Sequence, residues 1–207
     1  MRRVATTMVL ALTILLPELA WGDTGVAIEG LYGFARPPAA DFSAAVSGTA
    51  NDHDLSESSL QIAGGTLLLN FGAFELGAVG DATFGSGVTQ TAIGGLVGLR
   101  LGDKVRLDLL GEAGGHRYGN VADDPSVVTA SSTDEWLVYV GLRPGVAYRF
   151  GAPDGAGFLL GIWGFVRWDV TDKSVPVTVS GVSGTAPGDV KLGGTTIGLT
   201  LRAGIEL

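Results

Sequence analysis

The feature that most constrains this chain is an alternation of apolar residues with polar residues or glycine, sustained over long stretches. Between residues 105 and 115 the odd positions are Val105, Leu107, Leu109, Gly111 and Ala113, while the even ones include Arg106, Asp108 and Glu112. From 136 to 150 the even positions run Trp136, Val138, Val140, Leu142, Pro144, Val146, Tyr148 and Phe150, against Tyr139, Gly141, Arg143, Gly145 and Arg149. Near the end, Ile197, Leu199, Leu201, Ala203, Ile205 and Leu207 alternate with Gly198, Thr200, Arg202, Gly204 and Glu206. A period of two puts successive side chains on opposite faces of an extended strand. Helical spacing fits none of these segments.

Eight such segments are expected, near residues 26–36, 59–70, 73–84, 91–101, 105–118, 136–150, 158–170 and 191–207. They are long for soluble strands, which average about 5–6 residues, and long enough to cross a bilayer, which takes a tilted strand about 9–11. In the second segment Leu67, Leu68 and Leu69 run together and leave its facing undefined. The connections alternate as well. Those around 71–72, 102–104 and 151–157 are short, and those at 37–58, 85–90, 121–135 and 171–190 are mostly long and polar. Short turns at one end and long loops at the other are the pattern of an even-stranded membrane barrel. The expected fold class is therefore all-β, an eight-stranded antiparallel up-and-down transmembrane β-barrel.

Composition excludes the main alternatives. Hydrophobic residues make up 46% of the 207, mean hydropathy is +0.36, and there is no cysteine, which excludes disorder, a disulfide scaffold and a cysteine-ligated metal. A formal charge of −8 without a basic stripe argues against nucleic acid as a partner. The longest uncharged apolar run, 9–16 after Arg2 and Arg3, falls well short of the ~20 residues of a spanning helix. With Ala20, Trp21 and Gly22 before Asp23, residues 1–22 read as a secretory signal peptide, and 23–207 as one barrel domain.

If the apolar faces point to lipid, Tyr32, Phe34, Phe84, Trp136 and Trp168 fall beside the long loops, and Phe74, Tyr148, Phe150 and Phe158 beside the short turns. Two such bands are the aromatic girdles of a spanning barrel. The opposite faces then carry Glu29, Glu75, Asp81, Arg100, Arg106, Asp108, Glu112, Arg143, Arg149, Arg167, Asp169, Arg202 and Glu206 inward, six basic and seven acidic groups. Charges in so narrow a bore must be paired, so a salt-bridge network filling the lumen is expected. Strand count argues against a wide diffusion channel.

On these residues the stretch from about Asp23 to Leu207 resembles the eight-stranded outer-membrane barrels of Gram-negative bacteria, the OmpA-transmembrane-domain and OmpX-like group. The resemblance is one of architecture. It includes an alternating final strand, although this one ends on Leu207 where those proteins usually carry an aromatic residue. It implies a place in the bacterial outer membrane, contact with outer-membrane lipids and lipopolysaccharide, and handling by the barrel-assembly machinery. It also leads one to expect no peptidoglycan-binding domain after Leu207 and no cofactor.

Catalysis has little to draw on. Of the two histidines, His53 lies in Asn51-Asp52-His53-Asp54-Leu55-Ser56 on the first long loop. Some barrels of this kind modify lipid A with His, Ser and an acidic group, but no His-x-Ser lies on a strand and His116-Arg117-Tyr118 has no serine at the required offset. A non-enzymatic barrel is the expectation, with a lipid A-modifying enzyme, a narrow ion or solute pore and a secreted soluble barrel as its rivals. Asp41, Asp52, Asp54 and Glu57, and Asp123, Asp124, Asp134 and Glu135, are carboxylates of the kind that collect calcium or magnesium, but without the spacing of a defined calcium loop. They read better as a hydrated acidic surface, and whether metal binds is left open. The stretch 175–185 is β-prone and uncharged, suggesting an edge for strand addition by an extracellular partner that the sequence does not name.

Overall fold

A computed structural model of the chain describes residues 24–36, 40–46, 49–55, 60–85, 89–119, 128–130, 136–151, 155–181 and 184–207. Within them lie thirteen strands and no helix: β1 (Thr24–Arg36), β2 (Ala40–Val46), β3 (Thr49–Leu55), β4 (Leu60–Phe71), β5 (Phe74–Phe84), β6 (Thr89–Leu101), β7 (Val105–Gly119), β8 (Val128–Ala130), β9 (Trp136–Phe150), β10 (Gly157–Asp169), β11 (Lys173–Gly181), β12 (Gly184–Leu192) and β13 (Thr195–Glu206). Eight of these close into a barrel in the order β1-β13-β10-β9-β7-β6-β5-β4, with β4 returning to β1. Every pairing around the ring is antiparallel. The signal-peptide reading of 1–22 lies outside the described residues.

Burial follows the sequence period. On β1 the pattern alternates from Ala27 onward, with Ala27, Glu29, Leu31 and Ala35 buried and Ile28, Tyr32 and Phe34 at 51–58% exposure. The same holds around the ring, where Ile93, Leu109, Val138, Leu160, Ile197, Leu199 and Leu201 all face outward. The outer wall is thus a continuous apolar belt, and the buried face holds the charges, the inverse of a soluble barrel. The undefined facing of β4 is settled: Leu68 points inward, while Leu67 and Leu69 point out.

Two expectations about the connections need correction. The long connections are not simply loops, because β2, β3, β8, β11 and β12 form a second sheet in the order β3-β2-β12-β11-β8 at that end of the barrel. The β-prone 175–185 stretch does become a hairpin, and it lies within the second sheet rather than at its margin. Its β11 pairs with β8 over Val177–Val179, and its β12 pairs with β2 over Gly188–Lys191, so the edges are β3 and β8 instead. The last expected segment, 191–207, is also two elements. Gly193 and Gly194 take φ of 131° and 142°, a conformation that side chains disfavour, and this break hands the chain from β12 to β13.

The lipid-facing assignment makes a direct prediction. Leu201 is 60% exposed at the middle of β13. Leu201→Arg should lower unfolding stability in lipid vesicles by about 2–4 kcal/mol, read by denaturant titration. Unchanged stability with improved solubility in water would show that this face meets water.

Candidate functional site

The lumen gathers the inward polar residues, and tracing it from the short-turn end shows how each is placed. Glu206, at the end of β13, accepts hydrogen bonds from Arg100 (2.7 Å), Arg106 (2.5 Å), Arg149 (2.7 Å) and Asn70 (2.9 Å). These donors come from β6, β7, β9 and β4, so one carboxylate ties five walls together. Glu75 lies 3.9 Å from Arg100, and Arg149 also donates to the backbone oxygen of Gly155 in the turn below. Above this layer Arg202 pairs with Asp108 and stands 3.7 Å from Glu29.

The middle tier spans the bore. Arg167 on β10 makes a two-pronged contact with Asp81 on β5 (2.8 and 2.5 Å) and donates to Glu112 (2.9 Å). β10 and β5 stand four places apart in the eight-strand ring, so this ion pair bridges opposite walls. Arg143 adds bonds to Glu112 at 3.0 and 3.2 Å, and Tyr139 Oη donates to the same carboxylate at 2.7 Å. At the outer end Asp169 accepts from Tyr118 Oη (2.9 Å), and His116 Nε2 lies 2.9 Å from its other oxygen.

All thirteen charged residues expected inside are placed there. Arg100, at the rim, keeps 13% of its side chain exposed, whereas Arg143 and Glu112 keep none. The aromatic residues named for the girdles also face outward, with Trp136, Tyr148, Phe150 and Phe158 at 43–48% exposure and Phe74 half-buried at the start of β5. His53 and the acidic groups Asp41, Asp52 and Asp54 belong to β2 and β3, whose side chains lie outside the described residues, as do Glu57, Asp123, Asp124, Asp134 and Glu135. Among the described residues no group of acidic and histidine side chains is arranged to hold a metal ion.

Sequence reasoning missed the aromatic filling. Trp163 and Phe165 of β10 point inward and are 0% and 1% exposed. Arginines stack against them: Arg202 lies 4.4 Å from the Trp163 ring, Arg143 4.9 Å and Arg167 4.8 Å from the Phe165 ring. Such cation–ring contacts are favourable when both partners are removed from water. The missed signal was across the strands, in the register. Trp163 stands opposite Gly145 and Phe165 opposite Gly198, and a Cβ at either glycine would run into the ring. β10 is apolar on both faces, so alternation alone could not show which rings turn inward.

Such a network is costly to break, because removing one partner strands the others as uncompensated buried charges. Glu112→Ala should therefore destabilise the barrel by about 3–5 kcal/mol, and Arg100→Met, at the wetter rim, by less. Denaturant unfolding of both variants in the same detergent checks this ranking. Equal losses, or a Glu112→Ala loss within about 0.5 kcal/mol of zero, would mean the tier carries no stability.

A closed ring of strands with an apolar belt, aromatic rings at both margins and a polar interior is the architecture of an eight-stranded bacterial outer-membrane barrel. Among solved structures, one superposition shows the same fold and others are more weakly similar. OprG, an outer-membrane protein from Pseudomonas aeruginosa, superposes with a TM-score of 0.54 at 12% identity, over 87% of this chain and 95% of that one. The outer-membrane protein AlkL, solved in lipid bilayers, gives 0.47 at 12% identity over 87% and 90%. Ail of Yersinia pestis, an attachment invasion locus protein, gives 0.34 at 11% identity over 87% and 99%. No protein-family model matches the sequence, and no curated protein does.

Proposed function

We propose that this chain is a small integral outer-membrane protein with a structural or surface-interaction role, its bore filled rather than conducting. The observation that carries the reading is the Arg167–Asp81 bridge between opposite walls. With Arg143, Glu112, Trp163 and Phe165 around it, all at most 3% exposed, the bore is occupied at mid-height. An eight-stranded barrel is just wide enough for side chains to fill, which also supports the narrower likeness to the OmpA-transmembrane-domain and OmpX group.

The lumen groups are committed to one another, which favours a non-enzymatic barrel. The surface left for recognition is the five-stranded sheet at the long-connection end. Around its base, outer-membrane lipid and lipopolysaccharide are the partners we infer. Arg36 and Arg117 face outward at that end of β1 and β7, with Arg117 in register opposite Trp136, a suitable setting for anionic headgroups. During biogenesis the partner is the barrel-assembly machinery, to which β13 would present its alternating face.

Planar-bilayer recording tests the filled bore. The native barrel is expected to leave the membrane at its empty baseline. Reproducible unit conductance steps from the native protein would replace this reading with that of a narrow pore.

A further inference from the structure

The outer end of the lumen contains an imidazole that the plug does not explain. His116 is fully buried, and among the described residues neither ring nitrogen makes a hydrogen bond, although Nε2 is 2.9 Å from Asp169 Oδ1. That contact becomes a full ion pair when the ring is protonated. Rings enclose it: Tyr139 stacks at 5.4 Å and Tyr118 meets it edge-on at 4.8 Å. The register neighbours of His116 on β6 and β9, Ala92 and Leu137, bring no charge. From β13 comes Thr196, bonded to Gln90 of β6. The nearby guanidinium, Arg167, lies over the far ring of Tyr139 and is already engaged by Asp81 and Glu112.

Asp169 also reaches out of the lumen. Its Oδ2 accepts the Gly194 N–H at 2.9 Å, and its own N–H donates to the Gly194 oxygen at 2.9 Å. Gly194 is the residue at which the β11–β12 hairpin returns to the barrel. An open cavity of about 300 Å³ lies there, lined by Asp169, Thr171, Asp172, Lys191 and both glycines.

We propose that His116 and Asp169 form a proton-operated latch that fastens the base of the outer β11–β12 hairpin to the lumen. With the imidazole charged, Asp169 is neutralised and holds Tyr118 and Gly194 in place. When Nε2 gives its proton to water, the buried carboxylate loses its countercharge and draws water in past Gly194. The latch is therefore closed in acid and loosened as the imidazole deprotonates.

Nuclear magnetic resonance of the labelled full chain in detergent micelles tests this, with His53→Gln assigning the two imidazoles. Over a pH series the Gly194 amide is expected to follow the His116 ring signals with a shared midpoint. Gly194 amide exchange, corrected for its intrinsic pH dependence, should quicken roughly tenfold across that midpoint. Asp169→Asn should abolish the coupling while His116 still titrates. A His116 ring that does not titrate, or a Gly194 amide indifferent to it, overturns the latch. Both readouts come from the native protein, so the outcome stands even if the variant does not fold.

Discussion

The ladder between β1 and β13 is the contact on which the rest depends. It runs from Ala27 opposite Glu206 to Arg36 opposite Ile197, and it joins the first barrel strand to the last. Inside hydrocarbon an unpaired backbone N–H or C=O has no water to turn to, and each costs several kcal/mol. Only closure removes both edges at once. Because this pairing joins the two ends of the chain, nothing local can nucleate it. The outward belt and the inward charges then follow from the strand pleat, since each strand must give one face to lipid and the other to the lumen.

Closure at eight strands fixes what the lumen must do. The bore is too narrow for a water column that would solvate thirteen ionic side chains, so the charges have to solvate one another. The arrangement does this in tiers: one carboxylate collecting three arginines at the base, a cross-bore pair at mid-height, and rings between guanidinium groups. The glycines opposite Trp163 and Phe165 make this packing possible by yielding volume where the rings lie flat against the wall. The inner surface is thus specified by size across the strands as much as by polarity along them.

The membrane-spanning strands were legible because lipid outside and charge inside impose a polarity contrast on every second residue. That contrast stops at the membrane margin. Above it the contrast between lipid and lumen is gone; β11 still alternates at Val175, Val177 and Val179, but β2, β3 and β12 show no comparable run, so the second sheet stayed hidden. The 175–185 hairpin was visible from β-propensity, but its neighbours β2 and β8 come from distant connections, and pairing partners are not written in propensity. At 191–207 the alternation is clear only from Ile197 onward, and side-chain polarity says nothing about the φ of Gly193 and Gly194 that divides the segment. The inward charges could be read one by one from the facing of their strands. Which carboxylate each arginine meets depends on the register around the ring, and that is set only on closure.

Electrophoresis in sodium dodecyl sulfate of the membrane fraction, unboiled against boiled, tests most directly whether this chain is a closed barrel in lipid. A closed barrel with a complete ladder and an ion-paired bore should resist the detergent and migrate differently until heat opens it. The account predicts that mobility change, with the protein recovered in outer membranes. Identical mobility, with the protein in the soluble periplasm, would contradict it and would mean that the apolar faces do not meet lipid.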